Sequence, residues 1–364
     1  AKTNEQIRNI LAQFQLSEKV IAAEPFGNGH INDTLKVIDE QGKIHYVLQR
    51  VNHQIFTNVD MLQRNIEIVT THIRKKLEAR GEADIDRKVL TFLPTRDGKN
   101  YYFDGDSYWR VSLFIPRSKS YEEVTPELSF EAGRAFGDFQ TMLSDLPEGT
   151  LGETIPDFHN MEFRLRQFQE AVTTDPAGRV EEVKPLIEEI DRRAEAMCVQ
   201  ERLYRAGKLR KRVNHCDTKV NNILFDADSD KVLCVIDLDT VMPGFVLSDI
   251  GDFIRTGANT GAEDDENLDR VGVNMEIFET YTKGYMEKAK AFLTPTEIQL
   301  LPYGGRLLTY MQTVRFLTDY LNGDTYYKIH SPKHNLVRTK AQFKLLQSLE
   351  ERAEEMDRFM EQWL

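Results

Sequence analysis

The sequence predicts an α+β fold with two lobes, a small antiparallel-sheet lobe followed by a larger, mainly helical lobe. Residues 17–116 contain apolar strand-like segments separated by glycine turns. From Pro126 onward, apolar residues recur three or four positions apart, which is the period of amphipathic helices. We therefore predict an N-terminal lobe over residues 1–116 and a C-terminal lobe over residues 117–364.

The elements of the first lobe follow from its local patterns. Gln41 and Gly42 predict a hairpin turn, and Pro116 ends the last strand. Apolar residues on one face predict a helix over residues 59–77. The predicted strands cover residues 20–24, 35–38, 45–51, 89–93 and 109–114.

Three helices stand out in the second lobe. Pro126 suits the first turn of one helix, which carries several buried-type aromatic residues. A heavily charged helix is predicted over residues 180–206. The last helix is predicted from residue 335 to the end. Its apolar stripe indicates a face turned towards the core.

The composition excludes several classes of protein. A net charge of −12 argues against binding to nucleic acid or anionic lipid, and no apolar run reaches the length of a membrane span. The first five residues are polar and lack a secretory apolar segment. The three cysteines have no metal-type spacing. We expect a cytoplasmic protein with neither membrane nor nucleic-acid partners, and the sequence does not indicate its oligomeric state.

The most informative stretch covers residues 213–224 and has the spacing His-x-Asp-x-x-x-x-Asn. The three polar residues are His215, Asp217 and Asn222. Two apolar segments separated by an acidic turn follow, and Asp237 comes directly after the second one. This pattern predicts a β-hairpin. Because a hairpin brings its ends together, we expect Asn222 and Asp237 to lie close in space.

Phosphoryl transfer requires the chemistry that these side chains supply. Asp217 can orient and deprotonate an attacking hydroxyl, and Lys219 can bring a positive charge to a phosphate. Asn222 and Asp237 offer the oxygen ligands that Mg²⁺ prefers. Short segments rich in Asp and Asn also occur in ordinary turns, but the hairpin that follows favours the catalytic interpretation. His215 is interpreted as a structural support of the loop.

Residues 26–34 form a glycine-containing segment between two predicted strands. Glycine allows a backbone to approach phosphates where a Cβ would intrude. A Gly-x-Gly sequence is also an ordinary hairpin turn, but its place in the strand-rich lobe, ahead of the His-x-Asp motif, favours nucleotide binding. The candidate contacts are Gly27, Gly29, Asn32 and Thr34.

Together these motifs resemble the aminoglycoside phosphotransferase and choline kinase superfamily, which has a protein-kinase-like fold. The resemblance sharpens to the N-acetylhexosamine 1-kinases and covers nearly the whole chain. The stretches that carry it are residues 27–32, 46–49, 64–67, 136–140, 217–224, 236–244, 315–321, 323–324 and 334–339.

This resemblance implies transfer of the γ-phosphate of ATP to the anomeric hydroxyl of N-acetylglucosamine or N-acetylgalactosamine, with Mg²⁺. It implies that Asp217 is the catalytic base and that Asn222 and Asp237 bind the metal. The implied nucleotide contacts are Gly27, Gly29, Asn32, Thr34, Gln49, Phe114 and Lys219, with Phe114 at the hinge beside adenine. The implied sugar contacts are His30, Asp217, Arg315 and Tyr326.

Alternatives remain open for three of the implied sugar contacts. Arg315 could be an internal salt-bridge partner, Tyr326 a packed aromatic residue, and His30 a turn residue.

One residue departs from the protein-kinase pattern. Protein kinases place a lysine on the third strand, where this chain has Gln49 followed by Arg50. If Gln49 points inward, Arg50 faces the other side and Glu67 loses its expected partner. The sugar kinases resemble this chain in having Gln here, so we interpret it as variation rather than inactivation.

Two acidic features have structural interpretations. Asp249 and Asp252 are expected to support the 215–222 loop through backbone hydrogen bonds. The acidic run at 263–266 is expected to be a solvated loop.

Two other functions are retained as alternatives. The chain could be another small-molecule kinase of the same superfamily, of the choline, homoserine or aminoglycoside type. It could also be a nucleotide-binding scaffold that has lost phosphotransfer, since the strand lysine is missing. Motifs of hydrolases, sulfatases and protein-kinase activation segments are missing from the sequence.

Overall fold

The structure is a computed structural model that describes residues 2–25 and 33–364. Its contacts divide the chain into two compact units. The first, called the sheet unit, comprises Ala1–Ser120, Asp145–Pro156 and Asn221–Met242. The second, called the helical unit, comprises Tyr121–Ser144, Asp157–Val220 and Pro243–Leu364. The predicted lobe boundary after residue 116 stays a prediction.

The predicted α+β class is confirmed by the elements of the two units. The strands are β1 (Ala22–Pro25), β2 (Asp33–Ile38), β3 (Ile44–Val51), β4 (Tyr102–Phe103), β5 (Tyr108–Leu113), β6 (Ser118–Lys119), β7 (Arg212–Asn214), β8 (Ile223–Asp226), β9 (Val232–Val235) and β10 (Met242–Gly244).

Among the described residues, the first two α-helices belong to the sheet unit, and the later α-helices make up most of the helical unit. The α-helices are α1 (Asn4–Leu11), α2 (Val59–Ala79), α3 (Pro126–Leu143), α4 (Met161–Thr174), α5 (Lys184–Arg193), α6 (Val199–Arg205), α7 (Val246–Gly257), α8 (Met275–Ala289), α9 (Pro295–Leu321), α10 (His334–Glu351) and α11 (Ala353–Met360). Short 3₁₀ helices lie at Ile85–Arg87, Glu181–Val183, Ala196–Cys198, Val220–Asn222, Leu268–Arg270 and Glu361–Trp363.

A five-stranded antiparallel sheet in the order β1-β2-β3-β5-β4 forms the centre of the sheet unit. Leu48 on β3 and Val111 on β5 pack with Ile7 and Ile10 of α1 in one apolar cluster. Because side chains alternate along a strand, the neighbouring residues point to the opposite face. Across that face, Thr34, Gln49 and Arg110 are register partners on three adjacent strands.

The prediction of a strand at residues 89–93 is wrong. Only an isolated bridge joins Phe92 to Ser112, flanked by backbone hydrogen bonds from Leu93 to Val111 (2.8 Å) and from Leu113 to Thr91 (2.9 Å). Pro94 follows at once and has no N–H to extend the ladder. The sequence pattern also missed the short strand β4.

The hairpin predicted after Asn222 is confirmed. β8 and β9 pair antiparallel, and Ile223 lies opposite Val235. Beyond the paired strands, the N–H of Ile236 donates to the carbonyl of Asn222 at 2.8 Å. The hairpin therefore brings Asn222 next to the residue that precedes Asp237, as its sequence predicts.

The helical unit departs from two predicted helix lengths. Residues 180–206 form a 3₁₀ helix, α5, a second 3₁₀ helix and α6 rather than one helix. Pro185 lies in the first turn of α5 and cannot donate a helical hydrogen bond, so it marks the start of that helix. The C-terminal segment breaks at Arg352, between α10 and α11. Its predicted core stripe is nevertheless buried at Leu346, Leu349 and Met356.

No helix in the described part of the chain is both long enough and apolar enough to cross a bilayer.

Helix α7 packs on α9 through glycines. A Cβ placed on Gly251 would lie 2.2 Å from the carbonyl oxygen of Gly304, and one placed on Gly304 would lie 2.3 Å from that of Leu247. Such distances are far below van der Waals contact. The two helices can therefore approach this closely only without side chains at these positions.

We expect Gly251→Ala to destabilise the protein, because the new methyl group would push α7 away from α9. Overpacking of this kind costs about 1–3 kcal/mol of unfolding free energy. Thermal unfolding followed by circular dichroism would show a lower Tm. Gly272→Ala is the control, since its Cβ would meet the hydroxyls of Ser348 and Thr260 at 3.4 and 3.7 Å, which is ordinary contact. Equal Tm values for the two variants would contradict the packing argument.

Candidate active site

Two carboxylates at the start of α7 hold the 215–218 loop by its backbone. Asp249 accepts hydrogen bonds from the amides of His215 (2.8 Å) and Cys216 (2.9 Å). Asp252 accepts one from the amide of Thr218 at 3.1 Å. Hydrogen bonds to ionised acceptors are about twice as strong as neutral ones. The predicted support of the loop by Asp249 and Asp252 is confirmed.

The two carboxylates have opposite electrostatic environments. Burial raises the pKa of Asp249 to about 6, despite the opposing effects of His215 and the amide donors. Burial also acts to raise the pKa of Asp252, but the positive charges of Arg255 and Lys219 outweigh it and the pKa is lowered. Asp252 is therefore ionised at neutral pH, while Asp249 titrates near the physiological range.

The side chain of His215, the first residue of the loop, is fully buried and accepts a hydrogen bond from the loop backbone. Its Nδ1 accepts the amide N–H of Asp217 at 3.2 Å. The rings of Phe136 and Phe139 meet the imidazole edge-on, with centroids 5.5 and 5.7 Å away. Cys216, between His215 and Asp217, has a φ of 69°, a left-handed conformation that non-glycine residues seldom adopt. These contacts agree with the predicted structural role of His215, which supports the backbone of Asp217.

Asp217 and Lys219 lie side by side on this loop. The Nζ of Lys219 is 4.0 Å from a carboxylate oxygen of Asp217, and their side chains are 48% and 27% exposed. The Asp217 charge raises the pKa of Lys219, so the lysine is a cation at neutral pH. An ion pair this exposed contributes little to stability. The pair offers an accessible base and an accessible cation on one rigid loop.

In the sheet unit, Asn222 and Asp237 occupy the two ends of the β8–β9 hairpin. Asn222 is buried and Asp237 is exposed. Asp237 has a φ of 58°, and strained backbone of this kind concentrates at functional sites. Mg²⁺ is bound by one or two carboxylate or carbonyl oxygens, with waters and phosphates completing its shell. The donor types of Asn222 and Asp237 fit this ion.

A buried polar cluster in the sheet unit was missed by the sequence analysis. The guanidinium of Arg110 on β5 makes a two-pronged ion pair with Asp239, and both side chains are 4% exposed. Two signals in the sequence could have indicated it. Arg110 interrupts the apolar strand Trp-Arg-Val, and Asp239 is the second acid of the Ile-Asp-Leu-Asp stretch.

Gln49, at the strand position that holds a lysine in protein kinases, lies on the same sheet face as Arg110. The amide oxygen of Gln49 accepts from Arg110 Nε at 3.0 Å, and its amide nitrogen donates to the hydroxyl of Thr34 at 3.4 Å. Arg50 points the other way and pairs with Asp33. The carboxylate of Glu67 accepts from Asn100 at 3.1 Å rather than from a strand cation.

The remaining nucleotide candidates are only partly described. Phe114 follows β5, is half-buried, and donates its N–H to the carbonyl of His45 at 3.0 Å. Gly27, Gly29, His30 and Asn32 lie outside the described residues.

Arg315 and Tyr326, the two sugar candidates of the helical unit, line the same cavity of about 400 Å³. The Arg315 guanidinium lies 5.4 Å from the Phe158 ring, 5.8 Å from the Tyr326 ring and 5.6 Å from the Tyr327 ring. Within the described residues, the side-chain hydrogen bond of Arg315 goes to the neutral amide oxygen of Gln312, at 3.5 Å. An arginine held by aromatic faces keeps donors available to a ligand.

Arg164 lines the same cavity, and the sequence analysis did not identify it. It donates to the carbonyl of Phe158 at 2.9 Å. Burial and the neighbouring charge of Arg315 lower its pKa to about 10. The wall of the cavity therefore carries two cations beside aromatic rings.

Comparison with known proteins identifies the class of this chain. The model of the phosphotransferase enzyme family matches residues 22–282, which include the 215–222 loop and Asp237. The chain belongs to this family.

Solved structures with the same fold support the assignment. Spectinomycin phosphotransferase, in complex with ADP and spectinomycin, has a TM-score of 0.62 and 13% identity over 97% of this chain and 99% of its own. An aminoglycoside phosphotransferase from Alicyclobacillus acidocaldarius has a TM-score of 0.57 and 11% identity over 96% of each chain. A choline/ethanolamine kinase family protein from Mesorhizobium loti has a TM-score of 0.56 and 15% identity over 93% and 92%. These similarities establish the kinase-like fold.

The opposite environments of Asp249 and Asp252 predict a pH effect on stability. The folded-state pKa of Asp249 is raised from 3.8 to about 6. Its stabilising contribution is therefore complete below pH 3.8 and is lost as the pH rises through 6. Between about pH 4.5 and 7.5, we expect the wild type to lose Tm relative to Asp249→Asn.

Asp252→Asn is the control for this titration. The pKa of Asp252 is lowered from 3.8, so its contribution is already complete across that pH range. The Tm difference between wild type and Asp252→Asn should stay constant there. Parallel pH profiles for both variants would refute the assignment of the titration to Asp249.

Proposed function

We propose that this protein is an ATP- and Mg²⁺-dependent kinase that phosphorylates the anomeric hydroxyl of N-acetylglucosamine or N-acetylgalactosamine. The observation that carries the proposal is the 215–218 loop, where buried carboxylates hold the backbone and present Asp217 beside Lys219. Membership of the phosphotransferase family supports the reaction type. The sugar specificity rests on the resemblance of the motifs to the N-acetylhexosamine 1-kinases.

ATP as the phosphate donor is supported by relatives of the same fold. Spectinomycin phosphotransferase has been solved with ADP and with AMP. The proposed nucleotide contacts are Gly27, Gly29, Asn32, Thr34, Gln49, Phe114 and Lys219. A cytoplasmic location, where ATP is available, belongs to this proposal.

In the proposed reaction, the anomeric oxygen of the sugar attacks the γ-phosphorus of ATP. The bond from that oxygen to phosphorus forms as the bond to the bridging oxygen of ADP breaks. Asp217 takes the hydroxyl proton as general base, and Lys219 supports the phosphate through its positive charge. Asn222 and Asp237 would hold Mg²⁺, which neutralises negative charge on the phosphates.

The acceptor is proposed to bind in the cavity that contains Arg315 and Tyr326, with His30 as a further contact. Arg315 can donate to sugar hydroxyls or to an acetamido carbonyl, and Tyr326 offers a ring face and a hydroxyl. Arg164 and Tyr327 are added to this set because they line the same cavity.

The first test is a coupled assay of ADP release with N-acetylglucosamine, N-acetylgalactosamine, choline, homoserine and an aminoglycoside. We expect turnover with an acetylhexosamine and a product labile to mild acid, as a sugar 1-phosphate is. Asp217→Asn should lower kcat by on the order of 10²–10⁴ while nucleotide binding is retained. Asp228→Asn, on the exposed hairpin turn, is the control for the substitution itself.

Turnover of choline, homoserine or an aminoglycoside with no acetylhexosamine activity would reject the sugar assignment and keep the kinase. Nucleotide binding without turnover of any acceptor would favour the scaffold alternative. Full activity of Asp217→Asn would reject the proposed base.

The acceptor cavity predicts a selective kinetic defect for Arg315→Met. Loss of a hydrogen bond from a charged donor should raise the KM for the sugar roughly 10- to 100-fold. The KM for ATP should not change, since the substitution lies in the acceptor cavity. Arg166→Met, at an exposed position of α4, is the matched control. An equal rise of both KM values would argue against a sugar contact.

A further inference from the structure

The face of the sheet that lacks a strand lysine nevertheless carries a cation one strand away. Gln49 occupies the lysine position on β3, and Arg110 is its register partner on β5. The two side chains are joined, since Arg110 Nε donates to Gln49 at 3.0 Å. The positive charge at this place in the sheet therefore comes from β5 instead of β3.

Arg110 is committed to protein partners rather than to a ligand. Its NH1 donates to Gln63 of α2 at 2.9 Å and to Asp239 at 2.5 Å, and its NH2 donates to the other oxygen of Asp239 at 3.0 Å. With the bond to Gln49, four of its five N–H donors are in use. Any contribution of Arg110 to the reaction must therefore pass through these neighbours.

Asp239 lies two residues beyond Asp237, and the backbone from Asp239 to Val241 is fixed at two points. The hydroxyl of Thr154 donates to the carbonyl of Asp239 at 3.1 Å. Asn65 of α2 donates to the carbonyl of Val241 at 3.5 Å. These contacts hold the backbone just after Asp237, whose φ of 58° has to be maintained by its surroundings.

We propose that Arg110 and Asp239 are positioning residues that set the place of the Asp237 carboxylate relative to Mg²⁺. This inference rests on the proposed function, in which Asp237 holds the metal. Arg110 contacts strand β3 through Gln49, helix α2 through Gln63 and the proposed metal-binding segment through Asp239. It supplies the connection that a strand lysine and a helix glutamate supply in protein kinases, with different residues.

The energetics of buried ion pairs favour a role beyond stability. Removing two charges from water costs several kcal/mol per ion, and apolar replacements of such pairs are often neutral or stabilising. The Phe92 ring lies 5.3 Å from the Arg110 guanidinium, so an apolar side chain already borders the pair on this face of the sheet. A positioning role of this pair should therefore change the Mg²⁺ requirement of the enzyme, whereas a purely structural role should change only the Tm.

The test compares Arg110→Lys, Arg110→Met and the double variant Arg110→Met/Asp239→Leu with the wild type. Three quantities are measured: the Mg²⁺ concentration for half-maximal activity, the KM for the acceptor, and the Tm. Affinity for ADP with and without Mg²⁺, measured by calorimetry, gives a readout that does not depend on the acceptor. The control is Arg74→Met on α2, which breaks a more exposed ion pair, the one between Arg74 and Asp86.

We expect the double variant to lose less Tm than Arg110→Met, because it leaves no buried, unpaired Asp239 carboxylate. Its Mg²⁺ requirement should rise at least tenfold, and its acceptor KM should stay within twofold. Arg110→Lys should restore part of the Mg²⁺ response, because it keeps the charge without the two-pronged geometry. Arg74→Met should leave the Mg²⁺ response unchanged. If Arg110→Met fails to fold, the double variant and Arg110→Lys still decide the question.

A wild-type Mg²⁺ response in both the double variant and Arg110→Lys would overturn the inference and leave the proposed function intact. If the wild type itself shows no effect of Mg²⁺ on activity or on ADP affinity, the proposed function fails and the inference fails with it. The two failures are therefore distinguishable.

Discussion

The geometry of the candidate active site depends on buried carboxylates that grip backbone amides. Asp249 and Asp252 fix the 215–218 loop by its main chain, and the His215 ring adds a hydrogen bond from the amide of Asp217. Helix α7, which carries both acids, is itself held against α9 by the contact between Gly251 and Gly304. The position of Asp217 therefore depends on the packing of α7 against α9.

In the sheet unit, a buried ion pair between Arg110 and Asp239 holds the segment that follows Asp237. The pair between Arg110 and Asp239 is almost fully enclosed, and it joins β5, β3 and α2 to the segment that contains Asp237. A lysine on β3 would carry a single mobile charge, whereas the planar guanidinium fixes direction as well as sign. In this chain, Arg110 on β5 supplies the positive charge that a lysine on β3 would supply, and Gln49 is its hydrogen-bond partner.

The sequence predicted the features that are local. The helix predicted at 59–77, the hairpin after Asn222 and the support of the loop by α7 follow from periodicity, turn residues and closely spaced acids. Arg110 and Asp239 were missed because they are 129 positions apart and meet only through the strand register of the folded sheet. The false strand at 89–93 had the right composition, but Pro94 stops the ladder. The segment 180–206 was predicted as one helix although Pro185 visibly interrupts it.

One hydrogen-bond chain runs from α8 through α3 to the loop, and its direction is fixed. The phenol of Tyr285 donates to the amide oxygen of Gln140, whose nitrogen donates to Asp249 at 2.9 Å. Burial raises the pKa of Tyr285 well above its usual value, so the phenol keeps its proton. An amide is the side chain that can accept on one side and donate on the other. A glutamate at position 140 would place a second carboxylate against Asp249 and would remove the amide donor that links α3 to the acid holding the loop.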